Sequence, residues 1–314
     1  MKHEPSLTLI GAPTSAGAYA PGQEDAPTAL RRHGLADALR RLGAYVNDDG
    51  DIERWRWRPD PGERYAQNVP AVARGARAVA ERVAAALKDE SLPLVLGGDC
   101  TIELGTLSGA ISAGHDPSLL YFDIHPDMNT PKSVIDGALD WMGVAHMLAE
   151  PGTVEELTTL GPRTPLCAPE RLVLFGHDPE HSTPWERERI AHHGLREIRV
   201  DQIAADPAGA ARKAVELVTD GADRYLVHFD VDSIDFTDMP LSENIGRNYG
   251  LSFEAAMAAL DVLLADEKLL ALTVSELNPH HGAEDGSTVK TFAERLAGSI
   301  AGSTAPEPRS KQAL

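Results

Sequence analysis

Short apolar runs alternate with longer amphipathic stretches along this whole chain, and that rhythm constrains its fold more than any other feature. The apolar runs read as strands at residues 6–12, Leu92–Leu96, 118–123, 171–175, Tyr225–Asp230 and 269–277. The amphipathic stretches read as helices at 26–42, Val69–Lys88, 101–113, 183–193, 208–218, 253–265 and 288–300. Pro27 is tolerated in the first turn of its helix. Strands and helices in alternation predict one parallel sheet covered on both faces. There is no internal repeat and no linker that divides the chain. Residues 1–301 are therefore expected to form a single α/β domain, and 302–314, rich in Ser, Pro and charge, a disordered tail.

The acids are not scattered. Asp99 and Cys100 follow Leu92–Leu96, Asp123, His125 and Asp127 follow 118–122, Asp230, Asp232 and Asp235 end the run at 225–230, and Glu276 ends the last. Ligands of open parallel sheets bind beyond the carboxyl ends of the strands. In extended backbone, alternate side chains point the same way. Asp123-Ile-His125-Pro-Asp127 thus presents three ligand-type groups to one side, and Asp230-Val-Asp232 two more. Carboxylates so crowded need a cation to remain ionised. Oxygen donors with one imidazole favour an ion such as Mn²⁺. There are enough carboxylates to hold two ions roughly 3.5–4 Å apart. A single Asp-x-Asp pair is usually an ordinary turn cap, but two motifs, each after a buried strand, point to metal.

Composition narrows the partners. With 29 Lys and Arg against 48 Asp and Glu, the net charge is −19, which repels phosphate backbones and argues against nucleic acid. Trp55-Arg56-Trp57-Arg58 reads as a partly buried edge or an oligomer contact rather than a base-stacking strip. Two cysteines, Cys100 and Cys167, suit a reducing compartment, and no apolar run reaches the roughly 18 residues of a membrane span. No signal peptide is visible, so a cytoplasmic location is expected.

Five ordered motifs resemble the ureohydrolases, the family of arginase and agmatinase. That family carries Gly-Gly-Asp-His, Asp-Ala-His-x-Asp and Ser-x-Asp-x-Asp-x-x-Asp-Pro. This chain reads Gly97-Gly98-Asp99-Cys100, Asp123-Ile124-His125-Pro126-Asp127 and His228-Phe229-Asp230-Val231-Asp232-Ser233-Ile234-Asp235. Glu276-Leu277-Asn278-Pro279 is similar to the family's Glu-Val-Asn-Pro, and Ile10-Gly11-Ala12-Pro13-Thr14-Ser15-Ala16-Gly17 to its N-terminal motif. The resemblance spans roughly residues 6–300. It implies a three-layer α/β/α fold, shared with deacetylases, with a parallel sheet of about eight strands. It also implies a two-manganese centre that activates water toward a guanidinium carbon, releasing an amine and urea or a substituted urea. Carried over by motif, Asp123 and Asp230 bridge the ions, Asp127 and Cys100 complete one site, and His125 and Asp232 complete the other. Glu276 then receives the guanidinium through paired N–H bonds.

The departures shape the remaining expectations. Cys100 stands where the family has a histidine ligand; a thiolate is softer and anionic, and would change metal preference or water acidity. The alternative is a Cys100 that stays protonated beside a weak or empty site, leaving a one-metal enzyme. The family's shuttle histidine is missing, and Asp140 lies near its place, so Glu276, Asp140 and Asp127 are the candidate catalytic residues. His146 reads as a packing residue. Asn129 and Thr130, in Met128-Asn129-Thr130-Pro131, resemble arginase's Asn-Thr-Pro and are candidate contacts for an amino-acid end, with Asp178 and Arg247 as further candidates. Lys132 reads as solvated, and His177, His181, His192, His193, His280 and His281 as loop or surface residues. An N-hydroxylated guanidine such as N-hydroxyarginine has a better leaving group and needs less acid catalysis. The competing readings are an amidine or amide hydrolase with one metal, and a non-catalytic metal-binding homologue. The expected partner is a small guanidino compound, and a homo-oligomer is possible.

Overall fold

The computed structural model describes residues 6–302. Eight strands form one all-parallel sheet: β1 (Ser6–Gly11), β2 (Tyr45–Asp51), β3 (Leu92–Leu96), β4 (Ser118–Phe122), β5 (Leu172–Phe175), β6 (Arg196–Ile198), β7 (Tyr225–Asp230) and β8 (Leu269–Ser275). Their order is β2-β1-β3-β8-β7-β4-β5-β6. The four strands that lead into the clustered acids are thus the four central ones and lie side by side. In register, Phe122 faces Phe229 on one side and Phe175 on the other.

Helices cover both faces. They are α1 (Ala26–Arg32), α2 (Leu35–Arg41), α3 (Val69–Lys88), α4 (Ile102–Ser112), α5 (Gly143–Met147), α6 (Glu155–Thr158), α7 (Pro184–His193), α8 (Val200–Ala205), α9 (Pro207–Val218), α10 (Phe253–Leu263) and α11 (Ser287–Gly302). Leu30, Leu39, Leu260 and Phe292 pack on the face formed by Leu94, Val227 and Phe229. Leu104, Leu107 and Ile190 pack on the face formed by Leu119, Tyr121 and Leu226. This is the expected three-layer α/β/α arrangement.

Three sequence expectations change. The helix expected over 26–42 is two helices, because Gly34 takes a left-handed conformation (φ 88°) and turns the chain between them. Strands β2 and β6 carry no apolar run. They are the sheet edges, and polar side chains there meet water on one flank. Gly302 closes α11 rather than opening the tail, and the rest of that expected tail lies outside the described residues. No helix among the described residues is long and apolar enough to cross a membrane.

Candidate metal centre

The turn after β3 sets the first wall of the site. Gly97 and Gly98 hold φ of 80° and 88°, and a Cβ on Gly97 would meet the Pro27 ring at 2.6 Å. Glycine at both positions lets the chain fold back over the sheet edge and swing Asp99 and Cys100 inward. Asp99 then ties the loop together, accepting from the backbone N–H of Gly17 at 2.9 Å and of Thr101 at 3.1 Å. Two non-glycine residues at this edge, Asp127 (φ 48°) and Glu276 (φ 59°), also sit in left-handed backbone. Strain of that kind persists where surrounding structure over-determines a functional geometry.

The acids converge as the spacing predicts. Donor atoms of Asp123, His125 and Asp232 lie within 4.8 Å of one another, and so do those of Cys100, Asp123, His228 and Asp230. Asp123 belongs to both groups. His125 Nδ1 lies 3.0 Å from Asp232 Oδ2 and 3.6 Å from Asp123 Oδ1. Cys100 Sγ donates to Asp230 Oδ2 at 2.9 Å. Asp127 lies outside both groups, on the cavity wall beside them; its Oδ2 accepts from the Tyr121 hydroxyl at 2.5 Å, and its other oxygen is left free for the cluster. His228 joins the second group although the strand-end pattern of acids does not single it out. Its signal was an imidazole at the serine position of the Ser-x-Asp-x-Asp motif.

The electrostatics are those of a crowded anionic pocket. Burial, and then neighbouring acids, push Asp127 and Asp230 well above the usual carboxylate range. Burial and Asp232 push Asp123 up. Burial and then Asp230 raise the Cys100 thiol well above its usual value. Burial opposes charge on His125, but Asp232 and Asp123 outweigh it and raise the imidazole well above its usual value. Burial likewise opposes charge on Asp232, and the His125 contact overcomes it and holds that carboxyl below its usual value. Asp123 Oδ2 and Asp232 Oδ1 are buried without a hydrogen-bond partner. Buried carboxylate oxygens left without a hydrogen-bond partner in one cluster of acids are what a cation site looks like in its protein component. The donor set therefore fits divalent metal.

A cavity of about 310 Å³ opens onto this cluster. Cys100, His125, Asp127, Asp230, Asp232, Glu276 and Asp140 all reach it. Glu276 is 6% exposed; its Oε1 accepts from Cys100 N–H and its Oε2 from Gln23 Nε2, both at 2.9 Å. Burial and then Asp140 push its carboxyl well above the usual range. Burial and then Asp99 do the same to Asp140, which accepts from Trp141 N–H at 2.9 Å.

The four candidate contacts for an amino-acid end are placed off this wall. Asn129 is buried behind it, its Oδ1 taken by Ser133 and Thr183 hydroxyls, and Thr130 N–H donates to Ser133 Oγ. Asp178 caps its own turn by accepting from Glu180 N–H at 2.9 Å. Arg247 is exposed and lies over the Phe236 ring at 5.3 Å. The wall is built instead from Tyr19, Asp136, Trp141, His181, Thr183, Glu186 and Asn244. These come from distant stretches, loops around 19, 136–141, 181 and 244 and the start of α7 at Thr183 and Glu186, with no shared periodicity to mark them in sequence. Of the other histidines, His146 is buried, bonded to Met142 O at 2.6 Å and to Val154 N–H at 3.1 Å. His280 pairs with Asp25 at 2.8 Å, His281 with Ser242 O at 2.8 Å, and His177 with Glu197 at 2.7 Å. His181 stacks on Tyr249. Lys132 is exposed. Trp55 is half-buried, as an edge residue, under Arg74.

A three-layer α/β/α fold whose central parallel strands gather acids, an imidazole and a thiol under one cavity defines a metal-dependent hydrolase. Residues 5–301 match the model of the arginase family, and the chain belongs to that family. It is 27% identical to arginase-1 of Oryctolagus cuniculus over 299 residues, covering 94% of this chain and 92% of that one. It is 27% identical to arginase of Bacillus subtilis over 300 residues, covering 93% and 98%. The crystal structure of Bacillus subtilis arginase superposes with a TM-score of 0.83 at 25% identity, covering 95% and 98%. Formimidoylglutamase of Bacillus subtilis shares the fold at a TM-score of 0.75, with 19% identity, covering 98% and 90%.

Proposed function

We propose that the chain hydrolyses a guanidino C–N bond of a small amino-acid-type substrate and releases urea or a substituted urea. Two divalent cations, manganese by family preference, would be held by Asp123, His125 and Asp232 on one side and by Cys100, Asp230 and Asp127 on the other. Asp123 and Asp230 would be shared. Bound there, the cations supply Lewis acidity and lower the pKa of a coordinated water. One observation carries this reading: the buried carboxylate Glu276 shares a cavity with the acid cluster. A carboxylate so placed can receive two N–H bonds from a planar cation and hold its carbon toward the cluster. The cation would also restore the negative charge that burial disfavours.

Asp140 takes the proton role. Burial and Asp99 keep its carboxyl protonated at pH values where an ordinary carboxyl has ionised, so it can donate to a leaving amine. The amino-acid end would meet Thr183, Glu186, His181 and Asn244 on the outer wall. N-hydroxyarginine is a candidate beside arginine: release of hydroxyurea from it expels the same amine, which Asp140 would protonate.

The test is release of urea or hydroxyurea from arginine, agmatine and N-hydroxyarginine, with Mn²⁺ added or chelated. Metal-dependent release from one of them supports the reading. Ammonia from amidines with no urea from any guanidine would move the chain to another amidine hydrolase. Bound metal without turnover would make it a binding homologue.

A further inference from the structure

A line of four buried polar groups runs from helix α4 along the face of the sheet beneath it to the metal cluster, and the chemistry above uses only its last member. Glu103 Oε2 lies 3.3 Å from His228 Nδ1, His228 Nε2 lies 3.1 Å from Ser275 Oγ, and Ser275 Oγ lies 3.5 Å from Cys100 Sγ. Glu103, His228 and Ser275 are wholly inaccessible to solvent, and Cys100 nearly so. The topology makes the line. His228 is two residues before Asp230 on β7 and so shares its face of the sheet, Ser275 pairs with Asp230 in register from β8, and Glu103 enters from α4, just after Cys100. The Tyr121 ring stacks flat on His228, with centroids 4.2 Å apart and planes 3° apart, and its hydroxyl ends on Asp127.

Placing a glutamate and an imidazole inside an apolar layer is unfavourable unless each is hydrogen-bonded. A purely structural filler would need neither. We propose that Glu103, His228 and Ser275 form a hydrogen-bond relay that holds a hydroxyl proton on the Cys100 sulfur and so tunes that sulfur as a metal donor. The proposal rests on the metal reading above. A sulfur bound to a cation carries no proton and can only accept, so the Ser275 O–H points at it. The Ser275 oxygen then accepts from His228 Nε2–H, and Glu103 fixes the ring from its other nitrogen. A hydrogen bond to sulfur draws charge off it, which moves an anionic thiolate toward the neutral imidazole that the family motif has at this position. The two departures from the motifs, cysteine at 100 and histidine at 228, thus act as one unit. Glu103, His228 and Ser275 are positioning residues in this scheme, since none of them touches substrate.

Cobalt is the probe. The full chain loaded with Co²⁺ is expected to show a sulfur-to-cobalt charge-transfer band. Ser275→Ala and His228→Phe should each move that band to longer wavelength and raise the Co²⁺ dissociation constant roughly 10- to 100-fold. Ser275→Thr, which returns the hydroxyl, should restore both, and circular dichroism identifies variants that remain folded. A parent without the band removes Cys100 from the donor set, and the metal reading of that residue fails along with the relay. A parent band unmoved in both folded variants overturns the relay and leaves the metal reading standing. Nitrogen hyperfine coupling to the cobalt that disappears in His228→Phe would make His228 a direct ligand, and that too overturns the relay.

Discussion

Glu276 carries the proposed specificity, and its surroundings say what its loss should do. It binds Cys100 N–H and Gln23 but belongs to neither cation group, so a neutral isostere should keep the fold and the metal. Glu276→Gln is expected to cost about 2–5 kcal/mol in kcat/KM for a guanidine, the range for leaving a buried charge without its partner. Metal content by elemental analysis should not change; wild-type turnover in the variant would remove Glu276 from substrate recognition. His146 yields a different prediction. Burial lowers its pKa from 6.5 to about 4, and its Nε2 accepts from Val154 N–H, so the ring is neutral in the fold. The unfolded chain takes up this proton through 6.5, but the folded chain takes it up only near 4. Stability is therefore fully present above 6.5 and falls as pH drops toward 4, by about 3 kcal/mol for this one group. His146→Gln should flatten that stretch of the stability–pH curve, as read by urea melts at several pH values.

Helices α3 and α4 lie close because two glycines permit it. A Cβ on Gly105 would meet Ala76 O at 2.4 Å and Val79 Cβ at 2.8 Å, and one on Gly109 would meet Ala80 O at 2.6 Å. Alanine is the better helix former by nearly 1 kcal/mol, yet Gly105→Ala is expected to destabilise by about 1–3 kcal/mol, because backbone cannot yield as a flexible side chain does. Thermal melts decide it, and a raised Tm would mean the two helices part without cost. Because α4 starts beside Cys100 and carries Glu103, the same variant should also loosen metal binding. At this scale the sequence was legible where elements were apolar. Val69–Lys88, Leu92–Leu96 and Tyr225–Asp230 have the bounds their patterns predict. It was illegible at β2 and β6, whose polar residues pair only along the sheet edges, and at Gly34, where one glycine turned one predicted helix into two.

For the whole molecule, the decisive quantity is the negative charge gathered at one sheet edge. Asp123, Asp127, Asp230, Asp232 and Glu276 are all buried within one neighbourhood in a chain of net charge −19. Most of these carboxyls are held above their usual pKa, so a divalent cation that replaces their protons should bind the fold and not the unfolded chain. Saturating Mn²⁺ at 1,000 times its dissociation constant should add about 4 kcal/mol of stability. Chelation should remove that gain, and a melting temperature indifferent to both Mn²⁺ and chelator would contradict a cation site at this edge.

Sequence alone determined the parallel α/β architecture and the acids at its carboxyl edge, because strand periodicity and the strand-end rule are local properties that a linear pattern records. It also pointed to Asp123, His125, Asp230, Asp232 and Glu276, since residues two apart in extended chain share a face whatever surrounds them. Only the tertiary structure decided which side chains meet across strands: that Tyr121 takes up an oxygen of Asp127, that Gln23 holds Glu276, and that Glu103, His228 and Ser275 line up behind Cys100. It also showed that Thr183, Glu186, His181 and Asn244 line the cavity, while Asn129, Thr130, Asp178 and Arg247 do not. Those contacts join residues far apart in the chain, and their distances are set by sheet order and loop path, which no spacing along the chain encodes.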